Sequence, residues 1–574
     1  MRSSRRRGRT GAAGLLTAAV LGGSLVACST DEEQLPSIGY AIDSPLTTYN
    51  AGTVAGAVSG ARQAFARVLP GFTYTGPEGG PVSDTDIGTA SEVPGDSLTV
   101  QYKLNPNSVY SDGVPMACDD LVLAWAANSG RFTRPNDQGA PTPMFDAAST
   151  AGYADIDRVD CRTGAKDATV TFRPGRSFTD WRSLFGAASL MPAHVVAGKT
   201  GVPDIVAAVQ NSDTNVLGRV ADFWNSGWTL SPGDLDSAIL PASGPYKIES
   251  FTQEDGLVLV PNDRWWGNRP ATDRIVVWPK SSDLKSRIED GRVEVVDVGA
   301  GSVADLDLAD FEVSEVPSRS VEQFVLSTSG VFATAPGRRA FALCLPRQDL
   351  AARFGAPVPG TDGDTQAAAT RFIGPDNLVY QSVAATVGGR FTVPDTAASS
   401  AALAETGSDT ATVRIGYLAP DARRAEIVAA VAAACAPAGI TVEDAGSPDF
   451  VPSKLRGGEV DAVLAGTAAA PGAAGTAAPT TALYALRGGS GSNAGGYSNG
   501  RVDQLVDQLV VDGSSGAQLS LSTELENILW SEVPTVPLFT QPRTVGFAPG
   551  LEAGLANPTR SGAGWNMDRW VLRR

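Results

Sequence analysis

The sequence predicts an exported α/β protein built from more than one packed unit. Three observations point there. Its 574 residues are too many for one small core, and two or three packed units suit the length. Apolar residues recur with period two in some stretches and at i, i+3, i+4 in others, so strands and helices are interspersed. The first 27 residues have the grammar of an export signal rather than of a folded element.

Arg2, Arg5, Arg6, Arg7 and Arg9 form a basic front, and Gly11 to Val26 is a short apolar run. That run is too short and Gly-rich for a stable membrane span, which needs about 20 apolar residues. Leu25-Val26-Ala27-Cys28 then has the form of a lipoprotein cleavage site, in which the Cys28 sulfur takes a diacylglycerol. Residues 1–27 are read as signal peptide and 28–36 as a tether. Two acyl chains on Cys28 hold the protein at the extracytoplasmic face of the cell membrane, each buried CH₂ contributing roughly 0.8 kcal/mol. The paired arginines form only an incomplete twin-arginine motif.

A composition of 43% hydrophobic and 19% charged residues is globular. Residues 1–27 contain five of the 45 basic residues and none of the 62 acidic ones, so the remainder carries −22 where the whole chain carries −17. Such a surface disfavours nucleic acid and nonspecific contact with anionic lipid. Beyond Cys28 there are four cysteines, Cys118, Cys161, Cys344 and Cys435. An even number in an exported chain favours disulfides over free thiols, with three possible pairings. No Cys-x-x-Cys or Cys/His cluster exists, so no metal site or cofactor is expected.

In chain order, Tyr40 to Asn50 begins the fold. Leu98, Val100, Tyr102 and Leu104 alternate as a half-buried strand. Turns follow at Asn105-Pro106-Asn107 and Ser111-Asp112-Gly113, and Asp119 or Asp120 caps a helix starting near Leu121. Val159 to Cys161 and Ala168 to Phe172 pair around Arg162-Thr163-Gly164. Strands are predicted at 257–260, 274–278 and 293–298. Arg338 to Cys344 is helical, and Thr396 to Ser408 is a small-residue loop. Val413 to Tyr417, the Ala-rich helix 425–436 capped by Gly439, and strands at 440–442 and 460–464 give a β-α-β-β order. Thr467 to Thr481 and Gly488 to Gly496 are low in complexity and suited to lining an opening. Val502, Leu505, Val506, Leu509 and Val510, then Leu521, Leu525, Ile528 and Leu529, have helical spacing. Val533 to Phe539 is a Pro-bounded strand.

Five stations in this order carry a resemblance. They are Tyr110-Ser111-Asp112-Gly113 with Pro115 and Asp119; Met191-Pro192-Ala193-His194; Gly244-Pro245-Tyr246 with Asn262, Trp266-Gly267 and Asp273-Arg274-Ile275; the helix with Arg339 and Ala340; and Gly496-Tyr497-Ser498-Asn499 with Asp503, followed by Val536-Pro537-Leu538-Phe539. From about Tyr40 to Trp570 the chain resembles family 5 extracellular solute-binding proteins, the oligopeptide, dipeptide and nickel binders of ABC importers. The closing Gly564-Trp565-Asn566-Met567-Asp568-Arg569-Trp570 is similar to an actinobacterial lipoprotein branch. The resemblance implies a periplasmic-binding-protein type II-like fold: two α/β lobes with a cleft, plus an extra domain on the first lobe. Lobe I then comprises 37–55, 190–318 and 535–574, the extra domain 56–189, and lobe II 319–534. Pairing Cys118 with Cys161 and Cys344 with Cys435 keeps each bridge inside one such domain.

The resemblance implies capture of a small peptide or peptide-like solute by a monomer that serves an ABC importer permease. Tyr49, Asn50, Thr467, Asn493, Tyr497 and Trp565 are the candidate cleft residues, because aromatic rings supply area and amides supply donor and acceptor together. The chain departs from the peptide binders at one point. They resemble one another in placing an acid after the strand matched by Val460 to Leu464, where it pairs with the peptide ammonium. Here no Asp or Glu lies between Asp461 and Asp503. That departure supports an alternative function, a noncatalytic cell-envelope regulator that reuses the fold. A nickel ligand set is disfavoured, since the single histidine, His194, belongs to a scaffold-like motif. No nucleophile elbow, phosphate loop or catalytic carboxylate pair appears, so no enzyme is expected.

Overall fold

Ten strands form one mixed sheet in the order Tyr246–Thr252, Gly256–Pro261, Arg274–Trp278, Ser37–Ile42, Val295–Gly299, Thr535–Phe547, Glu312–Leu326, Ala462–Ala465, Ala411–Gly416, Ile440–Asp444. The computed structural model describes residues 36–573 except 281–282, 304, 357–364, 376 and 468–478. The signal peptide, Cys28 and most of the tether therefore lie outside the described residues.

Ser37–Ile42 runs parallel to both Arg274–Trp278 and Val295–Gly299. Ala411–Gly416 runs parallel to both Ile440–Asp444 and Ala462–Ala465. Strands Val295–Gly299 and Ala462–Ala465 are buried along their whole length, as strands covered on both faces must be. Each parallel trio centres one α/β lobe.

Glu312–Leu326 and Thr535–Phe547 belong to both lobes. Val313 pairs with Gly546 on the first-lobe side and Phe324 with Val536 on the second. Their register slips between Pro317 and Val321 and again between Glu322 and Gln323, and such irregularities bend a strand pair. The sequence predicts an end at Phe539, but the strand continues to Phe547. Its prolines stand opposite Gln323 and Pro317, beside the two slips, where a missing backbone donor disturbs the ladder least.

A separate antiparallel sheet, ordered Gly88–Val93, Thr99–Leu104, Asp167–Phe172, Ile156–Asp160, forms the extra domain with helix Cys118–Asn128. Val100, Tyr102 and Leu104 point inward as their alternation predicts. The helix starts at Cys118 rather than near Leu121. Asp120 turns back to accept from the Ala117 N–H at 3.2 Å, and Asp119 instead accepts from the Gly164 N–H at 2.8 Å. Disulfides join Cys118 to Cys161 and Cys344 to Cys435, with Cα separations of 5.9 and 4.9 Å.

The predicted loop at Thr396 to Ser408 is instead helix Thr396–Ala404. Five alanines favour the helix, and Asp395 caps it by accepting from the Ala398 N–H at 2.9 Å. Asp421 caps Ala422–Cys435 in the same way at 2.9 Å, and Gly439 takes the predicted left-handed conformation at φ +86°. One apolar core joins the first lobe to the extra domain and takes in Val502, Leu505 and Val506. A second, around Phe324, Phe341, Ile415, Val431 and Leu538, fills the other lobe.

Candidate functional site

A cavity of about 510 Å³ lies between the lobes. Its wall is built from three directions. The stretch from Val54 to Thr75 supplies two short helices, Val54–Ala57 and Ala61–Phe65, and strand Thr73–Thr75. The extra domain supplies Tyr153, Phe178 and Leu184, and the second lobe supplies Ser453, Arg456 and the loop around Ser492. That loop touches the facing side directly: the Ser492 N–H donates to the Ala148 carbonyl at 2.7 Å. Gly491 is required there, because a Cβ would collide with the Ala147 carbonyl.

The lining carries five arginines, Arg62, Arg182, Arg319, Arg456 and Arg560, against one acid, Asp180. Arg560 spans the two lobes, donating to the Ala57 carbonyl at 2.8 Å and the Thr467 carbonyl at 2.9 Å. Burial, and then the charge of Arg62, push its pKa down to about 10. Its buried Nε has no hydrogen-bond partner among the described residues. Arg456 donates to the Asn493 carbonyl at 2.6 Å. Arg319 reaches the Glu78 and Gly79 carbonyls from the crossing strand. Burial also lowers the Arg62 pKa, and the group opposing that shift is the Tyr153 hydroxyl.

The six residues expected in the cleft are distributed differently. Tyr49 is fully buried, donating to the Pro241 carbonyl at 3.1 Å and packing edge-on against Phe65. Asn50 lies behind the wall, donating to the Trp224 carbonyl and accepting from the Gly52 N–H, both at 3.0 Å. The Thr467 hydroxyl accepts from the Val321 N–H at 2.9 Å, while its carbonyl holds Arg560. Asn493 orders its own loop through the Arg487 and Tyr497 carbonyls. Tyr497 donates to Glu532 at 2.6 Å. Trp565 stacks on Tyr74, a lining residue, with ring centroids 5.6 Å apart. None of the six is itself among the residues that line the main cavity; they brace it or belong to the core.

The arginines escaped the sequence reading, although a signal for them exists. No acid occurs between Asp43 and Glu78, around Arg62, or between Glu552 and Asp568, around Arg560. Together with the stretch between Asp461 and Asp503, three acid-free segments contribute to one cavity. The stations that carry the resemblance, by contrast, tie the scaffold together. His194 meets Asp112 at 2.8 Å, Asp120 accepts from the Ala193 N–H at 2.8 Å, and Asn262 holds the Gly244 carbonyl at 2.9 Å.

Residues 86–492 match the model for bacterial extracellular solute-binding proteins, family 5 middle. The uncharacterized lipoprotein Rv2585c of Mycobacterium tuberculosis is 42% identical over 99% of this chain and 100% of its own length. The oligopeptide-binding protein OppA of the same species is 24% identical over 83% of this chain and 75% of its own. Among solved structures, the periplasmic EDTA-binding protein EppA superposes with a TM-score of 0.73 and 19% identity, covering 95% of this chain and 97% of that one. Two lobes, crossing strands and an interlobe cavity thus accompany a sequence match over most of the chain, and the protein belongs to the family 5 extracellular solute-binding proteins.

Proposed function

We propose that the protein is a lipid-anchored extracytoplasmic receptor that captures a peptide or peptide-like solute for an ABC importer and leaves it chemically unchanged. The observation that carries this reading is the cavity of about 510 Å³ walled by both lobes. Its volume falls within the roughly 300–1,000 Å³ of small-molecule sites. Two crossing strands with paired register slips form the natural hinge, so closure buries solute and is selected by contacts made from both sides. The name of OppA supports the peptide class. We assign 37–55, 190–318 and 535–574 to the first lobe, 56–189 to the extra domain and 319–534 to the second lobe.

Native mass spectrometry of the purified protein, followed by thermal-shift titration of any solute released, tests the proposal. A solute recovered intact that raises Tm with concentration is the expected result, because a ligand of the folded state stabilises by mass action. Chemical conversion of the bound solute, or no stabilisation by any solute class, overturns it. The lack of an acid between Asp461 and Asp503 favours a second reading, an envelope regulator without transport. Wild-type solute uptake in a deletion strain would select that reading over the first.

A further inference from the structure

We propose that the solute is anionic, and that Arg62 and Arg560 receive its carboxylate or phosphate group. This rests on the solute-receptor reading and names the class of solute. The arginines that are buried outright, unlike the partly exposed Arg62 and Arg560, show how this fold treats a guanidinium. Arg67 meets Asp84 and Asp568, Arg371 meets Glu526, Arg424 meets Glu322, and Arg543 meets Asp297. Arg347 has no carboxylate, yet its three nitrogens donate to the carbonyls of Pro537, Arg390 and Ala368. Every one of these charges is neutralised or fully hydrogen-bonded.

Arg62 follows neither pattern. Among the described residues it has no hydrogen bond and no ion pair, and it lines the cavity. Arg560 lines the same cavity, its pKa lowered by burial and then by the charge of Arg62, with two nitrogens on carbonyls and a buried Nε that has no hydrogen-bond partner among the described residues. Two guanidiniums held together without a carboxylate are costly in a partly desolvated site. An incoming anion removes that cost and gains charge-assisted hydrogen bonds, bidentate where geometry allows. The bulk charge of the chain does not explain the cluster, since the molecule as a whole is strongly acidic. A free ammonium is repelled from the same wall, whereas a peptide's terminal carboxylate or acidic side chain fits it.

The test uses the full soluble chain and defined probes: N-acetylated Ala-Asp-Glu with a free C-terminus, the N-acetylated Ala-Asn-Gln amide, and inorganic phosphate. Their affinities are measured by calorimetry at fixed ionic strength on wild type, Arg62→Gln and Arg560→Gln. The acidic peptide or phosphate is expected to bind, the neutral amide not, and each substitution to weaken the anion by roughly 10- to 100-fold. Preference for the acidic peptide identifies a carboxylate site; preference for phosphate identifies a phosphoryl site. Arg62→Gln is also expected to raise the Tm of the empty protein, because it removes an uncompensated charge without breaking a bond; this readout needs no ligand. Equal binding of the neutral amide, with no effect of either substitution, overturns the anion assignment and leaves the receptor reading standing. No binding by any probe, an unchanged Tm in Arg62→Gln and no co-purifying solute overturn both.

Discussion

Glu322 has no exposed surface and sits where the crossing strands lose register. Its two oxygens accept from Arg424 Nε at 2.9 Å and Arg423 Nη2 at 2.8 Å. Burial alone would raise its pKa, but the charges of Arg424 and Arg423 hold it below the usual glutamate value. Its contribution to stability is therefore present above the unfolded-state pKa of about 4.3 and is lost as pH falls through the lower folded value. Replacing it with Gln removes the carboxylate that Arg423 and Arg424 share, although Arg424 keeps Asp421 at 3.8 Å. Glu322→Gln is expected to lose about 3–5 kcal/mol in urea unfolding with an unchanged m-value. Asp120 behaves with the opposite sign. Burial pushes its pKa up to about 6, against the N–H groups of Ala193 and Ala117 and the charge of His194. The folded chain keeps this proton where the unfolded chain has lost it. Its stabilisation is complete below about pH 3.9 and gone once pH has risen through about 6. Asp120→Asn should remove a decline of about 3 kcal/mol between those limits, read from denaturation midpoints across pH. Neither pairing was legible in the sequence. Glu322 and its partners are about a hundred residues apart, and nothing local marks Arg423 or Arg424 as destined for a distant carboxylate.

Helices and strands were read more successfully than their ends or partners. The stripe Val502, Leu505, Val506, Leu509 marks helix Gly500–Leu509, and its buried face is the one that the periodicity indicates. Thr396–Ala404 was missed because its alanines and serines lack an apolar stripe; only Ser399, Ala402 and Leu403 are buried. Cleft residues were misplaced for a related reason. An aromatic beside a family-like station signals burial, and Tyr49 or Tyr497 satisfies that by packing behind the wall, with its hydroxyl taken by a carbonyl or by Glu532. The Cys344–Cys435 bridge shows what a covalent link adds at this level. It joins helices Ala335–Cys344 and Ala422–Cys435 across a separation of 91 residues inside the second core. A loop that long restricts the unfolded chain, and removing such a bridge typically costs about 2–4 kcal/mol. Cys344→Ser with Cys435→Ser is expected to lower stability by that amount in guanidinium unfolding. Reductant should then have no further effect through this bridge, and solute affinity should change little because the cavity lies outside that core.

At the scale of the whole molecule, the sequence ahead of the folded unit bears on attachment. Residues 34–574 form one compact unit, and among the described residues no helix is long and apolar enough to cross a membrane. Relatives over nearly the full length are named lipoproteins, which agrees with the reading of Leu25-Val26-Ala27-Cys28 as a lipidation site. The physical consequence is specific to the number of chains. One acyl chain gives marginal, reversible attachment, whereas two hold a protein stably at roughly 0.8 kcal/mol per buried CH₂. Cys28→Ser is expected to abolish incorporation of a labelled fatty acid and to move the protein from the detergent phase to the aqueous phase on Triton X-114 partition. The thermal midpoint should match that of wild type, because Ser at position 28 alters the lipid anchor and leaves the two apolar cores of the folded unit unchanged. Continued fatty-acid labelling of the variant would place the anchor elsewhere. A fall in its thermal midpoint would show that the N-terminal segment takes part in the fold rather than serving only to hold it at the membrane.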